Sequence, residues 1–256
     1  MRMINVSDKD KSRSRAATKA SILVDALPYI RDFAGKVVVI CYCCSNLLTE
    51  EEEMEVMKDI SLLKSIGMKP IVVHDFRIGG DRYRENKRIA NEIEKNGIKS
   101  VGLCGIDVQT LHMTIDNGYI PVVMPNDVDT ENIILYPENT ACEIAIRMGA
   151  EKLVYMSEES GLFENGDERG AFIPVIMRDE AEAYLNKNKV TDSLKIKVLN
   201  AIAAVDNKVS RAHIIDGQIH HSMLLEFFST KGIGTAVIKD RGHLYEHEKA
   251  ATGDDI

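Results

Sequence analysis

Short runs of apolar, mostly β-branched residues recur along this chain of 256 residues, and segments with helical spacing of their apolar residues separate them. Such runs predict buried strands, and the segments between them predict helices. The predicted strands are 36–40, 70–74, 101–103, 120–124, 152–156, 211–215 and 234–238. The predicted helices are 16–34, 49–67, 82–95, 139–148, 181–187, 191–207 and 221–229. This alternation favours an α/β fold, in which helices cover both faces of a mainly parallel sheet.

Composition and charge argue against some classes of binding partner. Hydrophobic residues make up 45% of the chain and charged residues 28%, which is typical of soluble globular proteins. The net charge of −8 argues against a nucleic-acid partner and against an anionic membrane surface. No apolar run is long enough to span a bilayer, and the polar N-terminus lacks the apolar core of a signal peptide. We therefore expect a cytoplasmic protein whose cysteines are free thiols.

Ligands of parallel α/β sheets bind beyond the carboxyl ends of the strands. That rule selects four segments, 41–46, 74–80, 104–107 and 157–161. The first of them, "CYCCSN", carries three of the five cysteines at a turn where a phosphate-binding protein often has glycine. The residues alone leave open whether this turn is a reactive site, a metal site or the remnant of a different site.

Seven longer phrases, spread in order from about Leu27 to Ile238, resemble one family. They are "LPYIRDFAGKVVVI", "LLKSIGMKPIVVH", "GLCGID", "LHMTIDNGYIPVVMP", "AEKLVYMSEESGLF", "VTDSLKIKV" and "AHIIDGQIHHSMLLEFFSTKGIGT". Together they resemble the N-acetylglutamate kinases of the amino-acid kinase family. The resemblance implies a three-layer αβα sandwich that uses ATP and Mg²⁺. The implied reaction transfers the γ-phosphoryl of ATP to the side-chain carboxylate of N-acetyl-L-glutamate, in arginine biosynthesis.

The resemblance also implies how the chain is divided. Residues 35–150 correspond to a shortened acyl-amino-acid lobe, in which the arginine-bearing substrate lid of the family is missing. Residues 151–239 correspond to the nucleotide lobe and an effector region. Helix 16–34 corresponds to an oligomerisation helix, with a disordered arm (1–15) before it and a polar tail (240–256) at the other end.

Several catalytic positions of the family are substituted. Cys41 stands where the family has a lysine that contacts the transferring phosphoryl, and Cys43 and Cys44 stand where it has two glycines. Asn139 stands at the catalytic aspartate, whereas Lys197 matches the second catalytic lysine. The nucleotide-binding positions are partly kept, and correspond to Ser157, Glu158, Gly161 and Lys197. These changes predict lost or strongly reduced kinase activity, because each preorganised donor removed from such a site costs about 10²–10³ in rate.

The regulatory positions are better preserved. In arginine-inhibited relatives an N-terminal helix interlaces dimers into a hexamer, and arginine binds beside it. The corresponding effector residues are Tyr29, His213, Glu226 and Gly232. A glutamate beside a guanidinium is chemically sensible, because the charge-assisted pair is bidentate. We expect an arginine-responsive regulatory subunit that forms a homo-oligomer (dimer or hexamer) or a hetero-assembly with an active kinase.

Two alternatives remain open. One is an active N-acetylglutamate kinase with an altered site. The other is a soft-metal or iron–sulfur site, or a redox site with a lowered thiol pKa, formed in the vacated pocket. Its candidate ligands are Cys41, Cys43, Cys44, Cys104 and Cys142. His220 and His221 resemble a metal-binding pair, but adjacent residues on a helix point in different directions, which argues against one.

Overall fold

The predicted alternation of strands and helices is confirmed by a computed structural model, which describes residues 24, 26–44, 46–75, 81–125, 136–166, 168–229 and 232–244. Its strands are β1 (Val37–Tyr42), β2 (Lys69–His74), β3 (Ser100–Cys104), β4 (Ile120–Met124), β5 (Lys152–Ser157), β6 (Leu162–Phe163), β7 (Phe172–Ile173), β8 (Val175–Met177), β9 (Arg211–Asp216) and β10 (Thr235–Ile238). Its helices are α1 (26–33), α2 (Glu50–Ser65), α3 (Arg82–Lys95), α4 (Val108–Asp116), α5 (Pro137–Arg147), α6 (Arg178–Lys187), α7 (Asp192–Asp206) and α8 (Ser222–Phe228). The arm 1–15, part of helix 16–34 and most of the tail lie outside the described residues.

Eight strands form one sheet in the order β3–β4–β2–β1–β5–β9–β10–β8. Neighbouring strands run parallel except β9 and β10, which are antiparallel, and β6 and β7 form a separate hairpin. The prediction of a mainly parallel sheet is confirmed. Because β1 pairs directly with β5, the two predicted lobes share a continuous sheet, and the carboxyl ends of β1 and β5 lie side by side at its centre.

The sheet has a hydrophobic core on each face. Val38, Ile40 and Tyr42 of β1 pack on one face with apolar residues of α2, α3 and α8. Val39 and Cys41 pack on the other face with residues of α4, α5, α6 and α7. Successive side chains of a strand point to opposite faces, so an apolar run such as β1 requires helices on both sides. The three-layer αβα arrangement follows from that requirement.

Local signals place some helix ends correctly and miss others. The capping box of α2 is present, since the Thr49 hydroxyl accepts from the backbone N–H of Glu52 and the Glu52 carboxylate accepts from that of Thr49. The predicted start of α5 at Asn139 is wrong, because the helix begins at Pro137, and proline suits the first helical position. The sequence patterns also miss α4 and strands β6, β7 and β8. Within the described residues, none of the helices combines the length and apolarity that crossing a membrane requires.

Candidate active site at the carboxyl ends of β1 and β5

Lys197 occupies the centre of the candidate site. It lies on α7, and its buried Nζ is 2.9 Å from Oε2 of Glu159 and 2.5 Å from Oγ of Ser193. Oε1 of Glu138 is 4.0 Å away. Burial by itself would lower the pKa of Lys197, but the neighbouring carboxylate of Glu159 outweighs burial and raises that pKa. Lys197 is therefore a charged ammonium that already has a carboxylate partner.

Glu138, rather than Asn139, approaches this lysine. Asn139 is exposed, and its side-chain oxygen accepts a hydrogen bond of 2.8 Å from Asn200 on α7. Glu138 is buried, and its Oε2 has no hydrogen-bond partner among the described residues. The structure therefore brings Glu138, and not the predicted Asn139, close to Lys197. Pro137 at the start of α5 is the signal that could have located the helix and, with it, the inward-facing carboxylate.

The cysteine turn places two thiols close together, of which Cys41 is buried and Cys43 is partly buried. Sγ of Cys41 lies 2.8 Å from Sγ of Cys43, and both cysteines are free. Burial raises the pKa of both thiols. The redox alternative required a lowered thiol pKa, so the structure contradicts it at these two residues.

The remaining cysteines lie in other surroundings. Cys44 packs on the opposite face of the sheet, where a Cβ at Gly217 would come within 2.4 Å of its sulfur. Cys104 is exposed on β3, and Cys142 is buried on α5, where burial raises the pKa of its thiol to about 12. Among the described residues, no three cysteine sulfurs lie within 4.8 Å of one another. The structure therefore does not bring the five predicted metal ligands together.

The predicted nucleotide-binding positions other than Lys197 lie at the end of β5 and in the loop that follows it. Ser157 is buried and its hydroxyl accepts from the backbone N–H of Glu159 at 3.3 Å, whereas Glu158 is exposed. Gly161 has a φ of +127°, and a Cβ there would lie 2.5 Å from Oγ1 of Thr235. Gly161 is therefore required for packing of this loop against β10, independently of any nucleotide.

The charged groups around the turn are mixed in sign. Phosphoryl transfer needs cations and N–H donors aimed at the phosphate oxygens. The charged neighbours that act on Cys41 are Glu138, Asp75 and Lys197, which are two acids and one base. Glu159 lies in the predicted segment 157–161 but was not itself named as a site residue, and it already engages that base. The described charged groups that act on the turn are therefore more acidic than basic.

The end of β2, which belongs to the predicted substrate lobe, is held by internal hydrogen bonds. Buried His74 bonds through Nδ1 to the carbonyl oxygen of Asp75, and its Nε2 lies 3.0 Å from the side-chain nitrogen of Asn86. That nitrogen also donates to the carbonyl oxygen of Val122 at 2.8 Å. Burial lowers the pKa of His74, which favours its neutral form. Both ring nitrogens of His74 are thus engaged by groups of the protein itself. Residues 76–80, which follow, lie outside the described residues.

The predicted effector residues are brought close together in three of four cases. Nδ1 of His213 on β9 lies 2.6 Å from Oε1 of Glu226 on α8. Oε2 of Glu226 accepts from the backbone N–H groups of Ile233 and Gly234, and a Cβ at Gly232 would lie 2.9 Å from it. Although burial opposes ionisation, His213 and these N–H groups lower the pKa of Glu226 to about 2. Glu226 is therefore an ionised carboxylate anchored within the protein.

Lys152 is a cation that acts on Glu226 and that the sequence patterns did not indicate. Buried Lys152 places its Nζ 4.5 Å from the ring centre of Phe33 and 4.8 Å from that of Phe227. Its positive charge also favours the ionised form of Glu226. Tyr29, the fourth predicted effector residue, packs against the hydrophobic cluster that contains both phenylalanines.

The class of protein follows from the fold together with a comparison with known families. Residues 84–216, just over half of the chain, match the amino acid kinase family, and the chain belongs to that family.

Within the family, the chain is similar to proteins named acetylglutamate kinase. The protein of that name from Campylobacter jejuni is 30% identical over 86% of this chain and 98% of the relative. That from Syntrophomonas wolfei is 32% identical over 88% and 99%. Among solved structures, N-acetylglutamate synthase from Neisseria gonorrhoeae, complexed with coenzyme A and N-acetyl-glutamate, shares the fold with a TM-score of 0.74 and 20% identity, over 86% of this chain and 63% of that one. UMP kinase from Ureaplasma parvum gives 0.59 and 12%, over 80% and 100%.

Proposed function

We propose that this member of the amino acid kinase family is an acetylglutamate kinase-like protein with lost or strongly reduced phosphoryl transfer, which acts as an arginine-responsive regulatory subunit. The observation that carries the first half is the ion pair between Lys197 and Glu159. A lysine that must bind a phosphate cannot do so at full strength while a carboxylate lies 2.9 Å from it.

The cysteine turn supports the same conclusion. Backbone N–H groups cradle phosphate where small residues permit a close approach, and glycine suits this role because it has no Cβ. Here Cys41 and Cys43 place two sulfur atoms beside the central strand end. The raised pKa values keep both thiols neutral, so they supply no charge to a phosphoryl group.

The active-kinase alternative has one observation in its favour. Oε2 of Glu138 is buried without a described partner, and Oε1 lies 4.0 Å from Nζ of Lys197. A carboxylate in this position could take the role that the family gives to its aspartate. Carboxylate oxygens are also the ligands that Mg²⁺ prefers, so ATP with Mg²⁺ belongs to this alternative.

A turnover assay distinguishes the proposed loss of kinase activity from the active-kinase alternative. ADP release would be measured with ATP, Mg²⁺ and N-acetyl-L-glutamate for the wild type, for Lys197→Met and for Lys195→Met, an exposed control on the same helix. We expect all three proteins to give the same background rate. A wild-type rate well above that of Lys197→Met, with Lys195→Met unaffected, would refute the loss of activity and favour the active kinase.

The regulatory half of the proposal rests on the cluster of His213, Glu226 and Gly232. Glu226 is ionised, and a guanidinium could exchange for the N–H groups that it now holds, which would couple binding to the segment before β10. We propose L-arginine as the effector, and a homo-oligomer or an assembly with an active kinase as the regulated state.

Calorimetry with L-arginine tests this half independently of turnover. The wild type should bind L-arginine, and Glu226→Gln should bind it more weakly by about tenfold or more, because the charge-assisted pair is lost. Sedimentation with and without L-arginine, alone and mixed with an active acetylglutamate kinase, would report the assembly. Absence of binding by the wild type would remove the basis for an arginine-responsive role.

A further inference from the structure

A cluster of potential metal ligands lies away from the sites described above, between α2 and the turn that precedes α8. Glu55, His220 and His221 each offer a ligand atom, and these three atoms lie within 4.8 Å of one another. Among the described parts of the chain, no other group of three or more histidine, cysteine and acidic residues has its ligand atoms this close together.

The backbone explains why two adjacent histidines point to the same place. His221 is not inside the helix but precedes it as its N-cap, with a φ of +57° and a ψ of +31°. This left-handed conformation is uncommon for residues other than glycine. It brings the imidazole rings of His220 and His221 to a centroid distance of 3.9 Å. The objection that helical neighbours diverge therefore does not apply to this pair.

A buried carboxylate holds one of the two rings. Oδ1 of Asp59 lies 2.8 Å from Nδ1 of His221, and Asp59 is 3% exposed. Asp59 follows Glu55 by one helical turn, so both carboxylates lie on the face of α2 towards the turn. When Nδ1–H donates to Asp59, Nε2 of His221 keeps the lone pair that a metal ion needs. Carboxylates orient metal-binding histidines in this way.

We propose that Glu55, His220 and His221 form a binding site for a divalent transition-metal ion of the Zn²⁺ type, with Asp59 as the positioning residue. Two imidazole nitrogens and one carboxylate oxygen are a ligand set that Zn²⁺ accepts, with a water molecule as the fourth ligand. Bonds of about 2.0–2.2 Å in a tetrahedron place ligand atoms about 3.3 Å apart. Side-chain rotations of these partly exposed residues would close the difference from 4.8 Å.

Lys58 competes with the ion for the carboxylate. Its Nζ lies 2.5 Å from Oε1 of Glu55. Metal binding must break this exposed ion pair, which costs little because both side chains remain hydrated. A bound ion would tie the start of α8 to α2 and so fix the helix that carries Glu226.

Calorimetric titration of the full-length, reduced protein with Zn²⁺ tests the proposal. The variants are His220→Asn, Glu55→Gln and Lys58→Met, and His243→Asn is the matched control, since Nδ1 of His243 also pairs with an aspartate, Asp240. Titration with Co²⁺, followed by absorption, distinguishes nitrogen and oxygen ligands from thiolates. Circular dichroism verifies that each variant is folded.

We expect one site in the wild type, weakened more than about tenfold by His220→Asn and by Glu55→Gln and unchanged by His243→Asn. Asp59→Asn should weaken it by about 10- to 100-fold, as second-shell carboxylates do. Lys58→Met should strengthen it, because the competing ammonium is gone. Failure of the wild type to bind, equal affinity in His220→Asn, or a thiolate-to-cobalt charge-transfer band would overturn the proposal.

Discussion

Replacement of Glu226 by alanine should destabilise the protein by about 3 kcal/mol or more, because the buried groups that its carboxylate holds would lose their partner. The carboxylate holds backbone N–H groups of Ile233 and Gly234 at 3.0 and 3.2 Å, and His213 at 2.6 Å. Each buried polar group left without a partner costs about 1–3 kcal/mol, so the loss of these three contacts should sum to at least about 3 kcal/mol. Glu226→Gln keeps the volume and one acceptor oxygen, so it should cost less.

The ionisation of Glu226 should also make the free energy of unfolding depend on pH. Glu226 has a pKa of about 2 in the folded protein and an ordinary value of 4.5. Because the folded value is the lower one, the ionised carboxylate stabilises the protein fully above about pH 4.5, and this stabilisation is lost as pH falls towards 2. The difference corresponds to about 3 kcal/mol, which agrees with the mutational estimate. Glu226→Gln should remove this part of the acid dependence.

Urea unfolding at pH 7 and between pH 5 and 2 measures both effects through the free energy of unfolding. Glu143→Ala is the control, because the pair of Glu143 with Arg147 is exposed, and it should change stability by less than about 1 kcal/mol. A loss of less than about 1 kcal/mol in Glu226→Ala, or an unaltered acid dependence in Glu226→Gln, would refute the role of Glu226 as a buried anchor.

Three further perturbations follow from the contacts. Thr49→Ala should cost about 1 kcal/mol of unfolding free energy, because it removes the hydroxyl of the α2 capping box. Gly102→Ala should destabilise the protein, since its Cβ would lie 1.9 Å from Oδ1 of Asn86, and a double-mutant cycle should show a smaller cost in an Asn86→Ala background, with equal costs contradicting the clash. A thiol reagent should modify exposed Cys104 well before buried Cys142, whose pKa is about 12, and peptide mass spectrometry would detect the reverse order if burial does not protect it.

The fold could be predicted because its signals are local. β-branched runs such as those of β1 and β4 must be buried on both faces, and helical spacing in the segments between them supplies the covering layers. The strand at β10 was predicted, but its antiparallel pairing with β9 was not. The short strands β6 to β8 escaped prediction, since two or three residues carry too little pattern.

The candidate active site could be predicted only in part. The strand-end rule selected the Cys41 turn and the loop after β5, and the structure places these two strand ends side by side. It did not identify Glu159 as the partner of Lys197, because the two residues are 38 positions apart and meet only in the folded protein. The choice of Glu138 over Asn139 depends on where α5 begins, and one residue around a helix turns a side chain by about 100°.

The amino-acid sequence by itself therefore determined the α/β class and the mainly parallel sheet, because apolar periodicity and capping residues act over a few positions. Tertiary structure alone decided which charges meet. It paired Lys197 with Glu159, buried Glu226 against His213, and set His220 beside His221 opposite Glu55 through one left-handed residue. Electrostatic partnership depends on distances of a few ångströms between remote segments, and no local pattern encodes such distances.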